Sequence, residues 1–459
     1  MDDTIAAIAT PPGEGGICVI RISGEKALSI AGSLFHSASA ISEESPPPTQ
    51  KVLFGEIRDP DTGRGVDEVL LTWFKKPNSY TGENVIEISG HGGVLVSSTL
   101  MQLVLKQGAR LAEPGEFTRR AFTHGRIDLT QAEAVADLID AASDRAMKSA
   151  VSQLKGELSR RINKLFEQLL AVQAQLEAAI DFSEEGLTFQ SREATGQQML
   201  EVKNEMLALV QSFHQGKIIR EGMRVTLVGK PNAGKSSLLN ALMQQDRAIV
   251  TDIPGTTRDT LEERVRIKDI HMVIIDSAGL RNNPEVIEEE GIQRTRNALQ
   301  QCDLALVVFD TSRPLDANDE LLMNEVNEKQ RIVLLNKSDL AAQWQPHEIS
   351  KFLKDESPIT LSTKTGDGLE NLKNSIYEQS VKGATVEEHV FINRERHRDH
   401  LQQAVNALTT AGESLASGHS EELVAVDVSL AMEHLGSVLG KTCGEDLLDK
   451  IFGQFCIGK

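Results

Sequence analysis

Residues Gly229 to Ser236 read GKPNAGKS, and further along the chain Asn336-Lys337-Ser338-Asp339 reads NKSD. In the first pattern, successive backbone N–H groups of a glycine-permitted loop cradle phosphates, Lys235 reaches the β/γ oxygens and the Ser236 hydroxyl ligates Mg²⁺. In the second, the Asp339 carboxylate can accept both N1–H and the 2-amino group of guanine, which adenine lacks. A site built for those donors rejects ATP, because a buried acceptor is otherwise left unpaired. The two patterns together imply GTP. Ser362-Thr363-Lys364, following the apolar run Ile359 to Leu361, supplies a weaker last guanine contact, although by itself it is also an ordinary turn.

The residues between the two patterns complete a nucleotide set. Asn232, Ala233, Gly234, Lys235, Ser236 and Ser237 form the phosphate loop and the start of a helix. The segment Thr251, Asp252, Ile253, Pro254, Gly255, Thr256, Thr257 offers Thr257 as a second hydroxyl for Mg²⁺. Asp276, Ser277, Ala278 and Gly279 follow the apolar run Met272 to Ile275 as a metal-sensing carboxylate and a γ-phosphate-sensing glycine amide. Many small GTPases place a water-orienting glutamine after that glycine, but here the residue is Leu280. An arginine finger ordinarily supplies about 10³–10⁵-fold acceleration. This chain must find both functions elsewhere.

These residues need a scaffold, and the hydrophobic pattern provides one. Val225 to Val228 reads as a strand and Ser237 to Leu242 as a helix, the strand-turn-helix context that the phosphate loop requires. An α/β GTPase domain is expected over 216–378. Residues 1–122 carry short alternating strands, such as Ile17 to Ile22 and Val69 to Phe74, Pro/Gly turns, and one helix near Leu95 to Lys106, so an α+β domain is expected there. From 123 to 215 the period becomes helical. Val151, Leu154, Leu158, Ile162, Leu165, Leu169, Val172, Leu176 and Ile180 predict one long amphipathic helix. The signal returns over 379–459, at Leu401, Val405, Leu408 and Leu415 and through 421–435. We expect a multidomain chain with a single all-α domain into which the GTPase domain is inserted, two independent helical domains being the alternative.

With 459 residues, three or so domains are expected. Cys18, Cys302, Cys443 and Cys456 show neither metal-ligand nor disulfide-framework spacing, which points to a reducing cytosol. No basic leader and no apolar run of about 20 residues is present, so a cytoplasmic protein without a membrane span is expected. A net charge of −19 argues against a nucleic-acid-coating protein. RNA would have to meet a local patch: Arg119, Arg120 and Arg126; Lys155, Arg160, Arg161 and Lys164; or Arg394, Arg396 and Arg398. Each cluster is equally a solvated face.

The pattern resembles the tRNA-modifying GTPases called MnmE or TrmE. Asn232 inside the phosphate loop, the segment Val250 to Asp259 and the terminal Phe455-Cys456-Ile457-Gly458-Lys459 are similar to that family's, and the similarity runs essentially the whole length. The resemblance implies activation by K⁺, placed where an arginine finger would put its charge, and held by the Asn232 side chain and oxygens of Thr251, Ile253 and Thr256. It implies Lys235 and Glu288 as the catalytic groups, Glu288 orienting the attacking water, although Glu285, Glu289 and Glu290 crowd the same stretch. Two departures are Ser277, where the family usually has threonine, and Pro254, which fixes φ and removes one amide donor while leaving nearby carbonyls free.

The resemblance further implies an N-terminal domain that dimerises and binds a tetrahydrofolate carrying a one-carbon unit (5,10-methylene or 5-formyl). The matching positions are Arg21, Glu87, Arg126 and Lys459. A carboxylate such as Glu87 suits the amino-pyrimidinone edge of a pterin, and cations suit the glutamate tail. Cys456 is a candidate near the one-carbon site, an inert packed thiol being the alternative, and His91 reads as a turn or helix-entry residue. By the same resemblance the protein is a homodimer that works with the flavoprotein MnmG (GidA), whose FAD and NADH supply the redox step, to install an aminomethyl-type group at C5 of the wobble uridine (U34) of tRNA. The rival expectation is a ribosome-assembly or RNA-binding GTPase switch without covalent chemistry.

Overall fold

The computed structural model describes residues 3–11, 13–37, 41–42, 44–182, 191–245, 263–275, 296–353, 356–381 and 390–459. These divide into two compact units, one of Met1–Ala136, Gln153–Leu187 and Glu421–Lys459, the other of Asp137–Ser152 and Thr188–Ser420.

The first unit is built on a seven-stranded sheet of β1 (Ile5–Ile8), β2 (Ile17–Ser23), β3 (Phe35–His36), β4 (Val52–Arg58), β5 (Gly65–Phe74), β6 (Val85–His91) and β7 (Arg110–Leu111), ordered β3-β4-β5-β6-β2-β1-β7. Alternation decides its faces: Ile20, Ile22, Leu71, Trp73, Ile86 and Ile88 turn inward to a core with α1 (Ala27–Leu34) and α2 (Val94–Lys106). The register places Val52, Thr72, Glu87 and Arg21 in one row of the opposite face, with Phe54, Leu70, Ser89 and Val19 in the next. Val52, Phe54 and Leu70 are 61%, 66% and 46% exposed, an apolar patch on an open sheet face. Further helices of this unit are α3 (Glu116–Thr123) and α4 (Leu129–Ile139), the latter running to the division between the units.

One expectation is corrected here. The apolar repeat from Val151 to Ile180 is not one helix but two, α5 (Asp144–Leu154) and α6 (Glu157–Asp181), because Gly156 takes φ 78°, a left-handed conformation that ends one helix and precedes the next. The 3/4 spacing continues across the break, so the pattern alone conceals it. Leu158, Ile162, Leu165, Leu169, Val172 and Leu176 are the buried stripe of α6.

The second unit includes α7 (Arg192–Gln211), α8 (Phe213–Glu221) and a six-stranded sheet. Its strands are β8 (Met223–Val228), β9 (Glu263–Ile267), β10 (Ile270–Ile274), β11 (Leu304–Asp310), β12 (Arg331–Asn336) and β13 (Ile359–Thr360), ordered β13-β12-β11-β8-β10-β9. All neighbours are parallel except β9 with β10. Every residue of β11 and β12 is buried, as central parallel strands covered on both faces require. Helices α9 (Lys235–Gln245), α10 (Ala317–Glu325), α11 (Ser350–Leu353) and α12 (Leu369–Val381) follow strands or their loops, and α13 (Glu395–Ala416) packs along α7. In the first unit α14 (Glu421–Leu439) packs along α6, and α15 (Glu445–Phe452) leads to the C-terminal tail. Among the described residues, no helix is long and apolar enough to cross a membrane.

His271 on β10 is 6% exposed, and neither ring nitrogen has a hydrogen-bond partner among the described residues. Burial, with the nearby Arg264 charge, pulls its pKa down to about 4 from 6.5. An unfolded chain takes up this proton as pH falls through 6.5, whereas the folded one resists until about 4, so the associated stability is complete above pH 6.5 and is lost between 6.5 and 4. His271→Phe is expected to remove roughly 2 kcal/mol of the acid sensitivity between pH 7.5 and 5. Urea midpoints at the two pH values check this, and an identical loss in both proteins contradicts it.

Candidate active site

The phosphate loop leaves β8 beside two parallel neighbours, at the carboxyl edge where open α/β sheets bind ligands. Gly229 (φ 156°) lies so close to β11 that a Cβ would stand 2.4 Å from the Val308 carbonyl oxygen. Gly234 (φ 100°) leaves room for the Asn336 amide, where a Cβ would fall at 2.1 Å. Asn232 holds φ 64° and is exposed. The Lys235 ammonium donates to the Gly229 and Lys230 carbonyls at 2.6 and 2.8 Å. Burial, and secondarily the Arg313 charge, lowers its pKa to about 8, so a bound polyanion would restore the full charge. Ser236 and Ser237 occupy the exposed first turn of α9. Ser236 therefore offers a hydroxyl suited to a hard cation such as Mg²⁺.

The residues expected to read the base converge on the same edge. Asn336, fully buried at the end of β12, donates through Nδ2 to the Ala233 carbonyl at 2.8 Å and accepts from the Thr363 N–H at 3.2 Å. One side chain thus ties the phosphate loop to both base-reading segments. Ser362 donates to the Asp339 carboxylate at 2.7 Å and accepts the Lys364 N–H at 3.2 Å. The Ser362 hydroxyl is the main reason the Asp339 pKa falls below the usual carboxylate range, which keeps Asp339 an acceptor. Lys337 (φ 66°) donates to Asp310 at 2.7 Å. Asn232, Ala233, Gly234, Lys235, Asn336, Lys337, Asp339, Ser362, Thr363 and Lys364 therefore lie in one connected region. Thr251, Asp252, Ile253, Pro254, Gly255, Thr256, Thr257, Asp276, Ser277, Ala278, Gly279 and Glu288 lie outside the described residues.

Sequence reasoning missed a group behind this loop: Lys230, Asp310, Arg313, Asp316 and Asp319. Arg313 donates to the Pro231 carbonyl at 3.0 Å, and Lys230 pairs with Asp316 and Asp319. The available signal was Asp316-x-x-Asp319 before a helix, a capping pattern that also carries two acids toward the loop.

In the first unit, Arg21 and Glu87 face each other across β2 and β6 and form an ion pair at 2.8 Å. Arg21 also donates to the Gly458 carbonyl at 3.2 Å, and its guanidinium lies 5.6 and 5.7 Å from the Tyr80 and Phe117 ring centres. Glu87, Arg21 and the tail thus share one corner of the open sheet face. Gly82 packs against Arg126 and His124. Lys459 donates its N–H to the Cys456 carbonyl at 3.4 Å, and the free Cys456 is exposed, not a packed core thiol.

Two surface readings change. Arg120 is fully buried and binds Asp3, Glu83 and Glu116 at 2.8, 3.1 and 2.9 Å, so it is an internal counter-charge and not an RNA contact. His91 ends β6 and does not enter α2. Its Nδ1 lies 2.6 Å from Asp67, a hydrogen bond and charge that raise its pKa. Arg394 pairs with Asp137 at 2.5 Å, and Arg398 stacks on Phe213. Lys155, Arg160 and Lys164 are exposed.

Residues 4–126 match the family described as GTP-binding protein TrmE N-terminus, and residues 129–456 match the MnmE helical domain. The chain is similar to the tRNA modification GTPase MnmE of Clostridioides difficile, with 43% identity over 460 residues and 100% of both chains covered. It is 41% identical over 463 residues to that of Acetivibrio thermocellus, covering 100% of this chain and 99% of the relative. Among solved structures, the G domain of the T. maritima FeoB iron transporter is 30% identical, with a TM-score of 0.26, 34% of this chain and 98% of that one being covered.

Proposed function

Since this chain belongs to the MnmE family of tRNA modification GTPases, we propose that it is a K⁺-activated GTP hydrolase that modifies C5 of the wobble uridine U34, forming 5-carboxymethylaminomethyluridine with the flavoprotein MnmG. The observation that carries the nucleotide reading is Asn336, whose hydrogen bonds to Ala233 and Thr363 bind phosphate loop and base loops into one frame. In that frame Lys235 neutralises phosphate charge, and Ser236 with Thr257 would hold Mg²⁺, which would supply further positive charge there. Asn232, with oxygens of Thr251, Ile253 and Thr256, would hold K⁺, whose charge would offset the negative charge that builds on the phosphates. Asn232 is exposed within the phosphate loop, at φ 64°, which suits this role. Glu288 orients the water for in-line attack.

The corner of the N-terminal sheet supports a folate role. Glu87 is held by Arg21 and is still partly exposed, and the Arg21 guanidinium is backed by Tyr80 and Phe117, giving a fixed carboxylate beside a fixed cation, a pair suited to the amino-pyrimidinone edge of a pterin. Arg126 and Lys459 add cations for the glutamate carboxylates. When bound, the folate supplies the one-carbon unit, while FAD and NADH act on the partner. The exposed Val52, Phe54 and Leu70 share the Glu87 face and suit a second copy of the chain, making the homodimer interface and the folate corner neighbours. The family's cytoplasmic setting suits a tRNA substrate.

Equilibrium dialysis with 5-formyltetrahydrofolate tests this reading. The dimer is expected to bind, and Glu87→Gln is expected to weaken binding at least tenfold with GTP turnover unchanged, since a charge-assisted hydrogen bond is worth about 1.5–3 kcal/mol. No detectable binding to the folded wild type would favour an assembly-type GTPase switch without covalent chemistry.

A further inference from the structure

The phosphate loop is gripped from its outer side by the connection between β11 and α10. Three successive loop carbonyls are each taken by a cation. Lys235 holds those of Gly229 and Lys230, and Arg313 holds that of Pro231 at 3.0 Å. Arg313 is itself 3.7 Å from Asp310, the carboxylate that receives Lys337. The Lys230 side chain runs the other way and is only 14% exposed. Its ammonium sits between Asp316 and Asp319, with the Asp316 contact at 2.5 Å.

Those two aspartates are already committed to the start of α10. Asp316 accepts from the Asn318 N–H at 2.8 Å, and the Asp316 N–H donates to Asp319 at 3.0 Å. Two carboxylates at one helix start repel each other unless a cation lies between them, and Lys230 is that cation. The loop and the helix cap therefore hold each other.

We propose that Lys230 and Arg313 are positioning residues for the nucleotide. Arg313 by taking the Pro231 carbonyl, and Lys230 by anchoring the loop to the Asp316–Asp319 cap, hold the loop backbone in the shape that leaves its amides facing the ligand. This inference deepens the GTP reading and rests on it. Such groups act on the bound nucleotide in ground and transition states alike, so their loss raises Kd and KM and leaves kcat nearly intact. Loss of a purely structural contact would instead lower the folded fraction, reducing apparent kcat without changing Kd.

The test measures mant-GDP and mant-GppNHp affinity and steady-state GTP turnover on the full-length dimer. Arg313→Gln is expected to raise both Kd values and KM about tenfold, with kcat within about twofold, a hydrogen bond to a charged group being the interaction lost. Lys230→Met is expected to do the same and Lys230→Arg to recover most of the affinity. Asp316→Asn added to Lys230→Met is expected to restore part of it, because the uncompensated charge is gone. Wild-type protein that binds neither nucleotide would defeat the GTP reading itself. Wild-type binding with unchanged Kd in Arg313→Gln overturns the positioning role, as does a fall in kcat alone; if Lys230→Met does not fold, Arg313→Gln decides.

Discussion

Asp339→Asn is expected to weaken guanine-nucleotide binding by about two to four orders of magnitude, because a site built to hydrogen-bond a base rejects one whose donors it can no longer accept. Asp339 accepts from Ser362 at 2.7 Å and has its pKa lowered, so at neutral pH it is ionised and can only accept. An asparagine would turn an N–H₂ toward the guanine N1–H and 2-amino donors, opposing donor to donor. Xanthine nucleotides carry an oxygen at that ring position, so their affinity is expected to rise as guanine's falls. Competition titrations with GDP, XDP and ADP read this directly, and a GDP affinity within threefold of wild type contradicts it.

The second large effect is on the chemical step. Glu288→Ala is expected to lower kcat about 10²-fold or more, the usual scale for a group that positions or deprotonates a nucleophile, with nucleotide affinity nearly unchanged. The proposed contact is to water in the transition state, so the ground-state complex does not depend on it. Glu285, Glu289 and Glu290 occupy the same stretch. Parallel alanine substitutions with single-turnover hydrolysis therefore identify the residue. A full effect at Glu289 with none at Glu288 moves the role by one position, and no effect at any of the four removes a glutamate from the mechanism.

That the phosphate-loop and NKSD stretches belong together was legible because each pattern is contiguous. A phosphate loop needs its glycines, lysine and serine in fixed order, and the asparagine and aspartate proposed to read the base stand three residues apart for the same reason. β8, β12 and α9 then fall where those stretches require them. What escaped depends on contacts distant in sequence. Only Glu116, one helical turn before it, is a local partner of Arg120; Asp3 and Glu83, which complete its burial, come from loops distant in sequence. The helix break at Gly156 hides within an apolar spacing that continues through it. The pairing of Glu87 with Arg21 needed the β2–β6 register, which places them opposite. Lys230 reads as a loop charge until α10 brings Asp316 and Asp319 to it. Local chemistry was readable; long-range charge pairing was not.

An alkali cation stabilising the charge that builds on the phosphates is the step on which the hydrolytic account depends. Steady-state GTP hydrolysis in KCl and in NaCl at equal ionic strength, for wild type and Asn232→Ala, measures it most directly. Turnover is expected to rise several-fold or more in K⁺ for wild type and to be equal in the two salts for the variant, part of the acceleration of about 10³–10⁵ that a finger elsewhere provides. Equal wild-type rates in both salts contradict it.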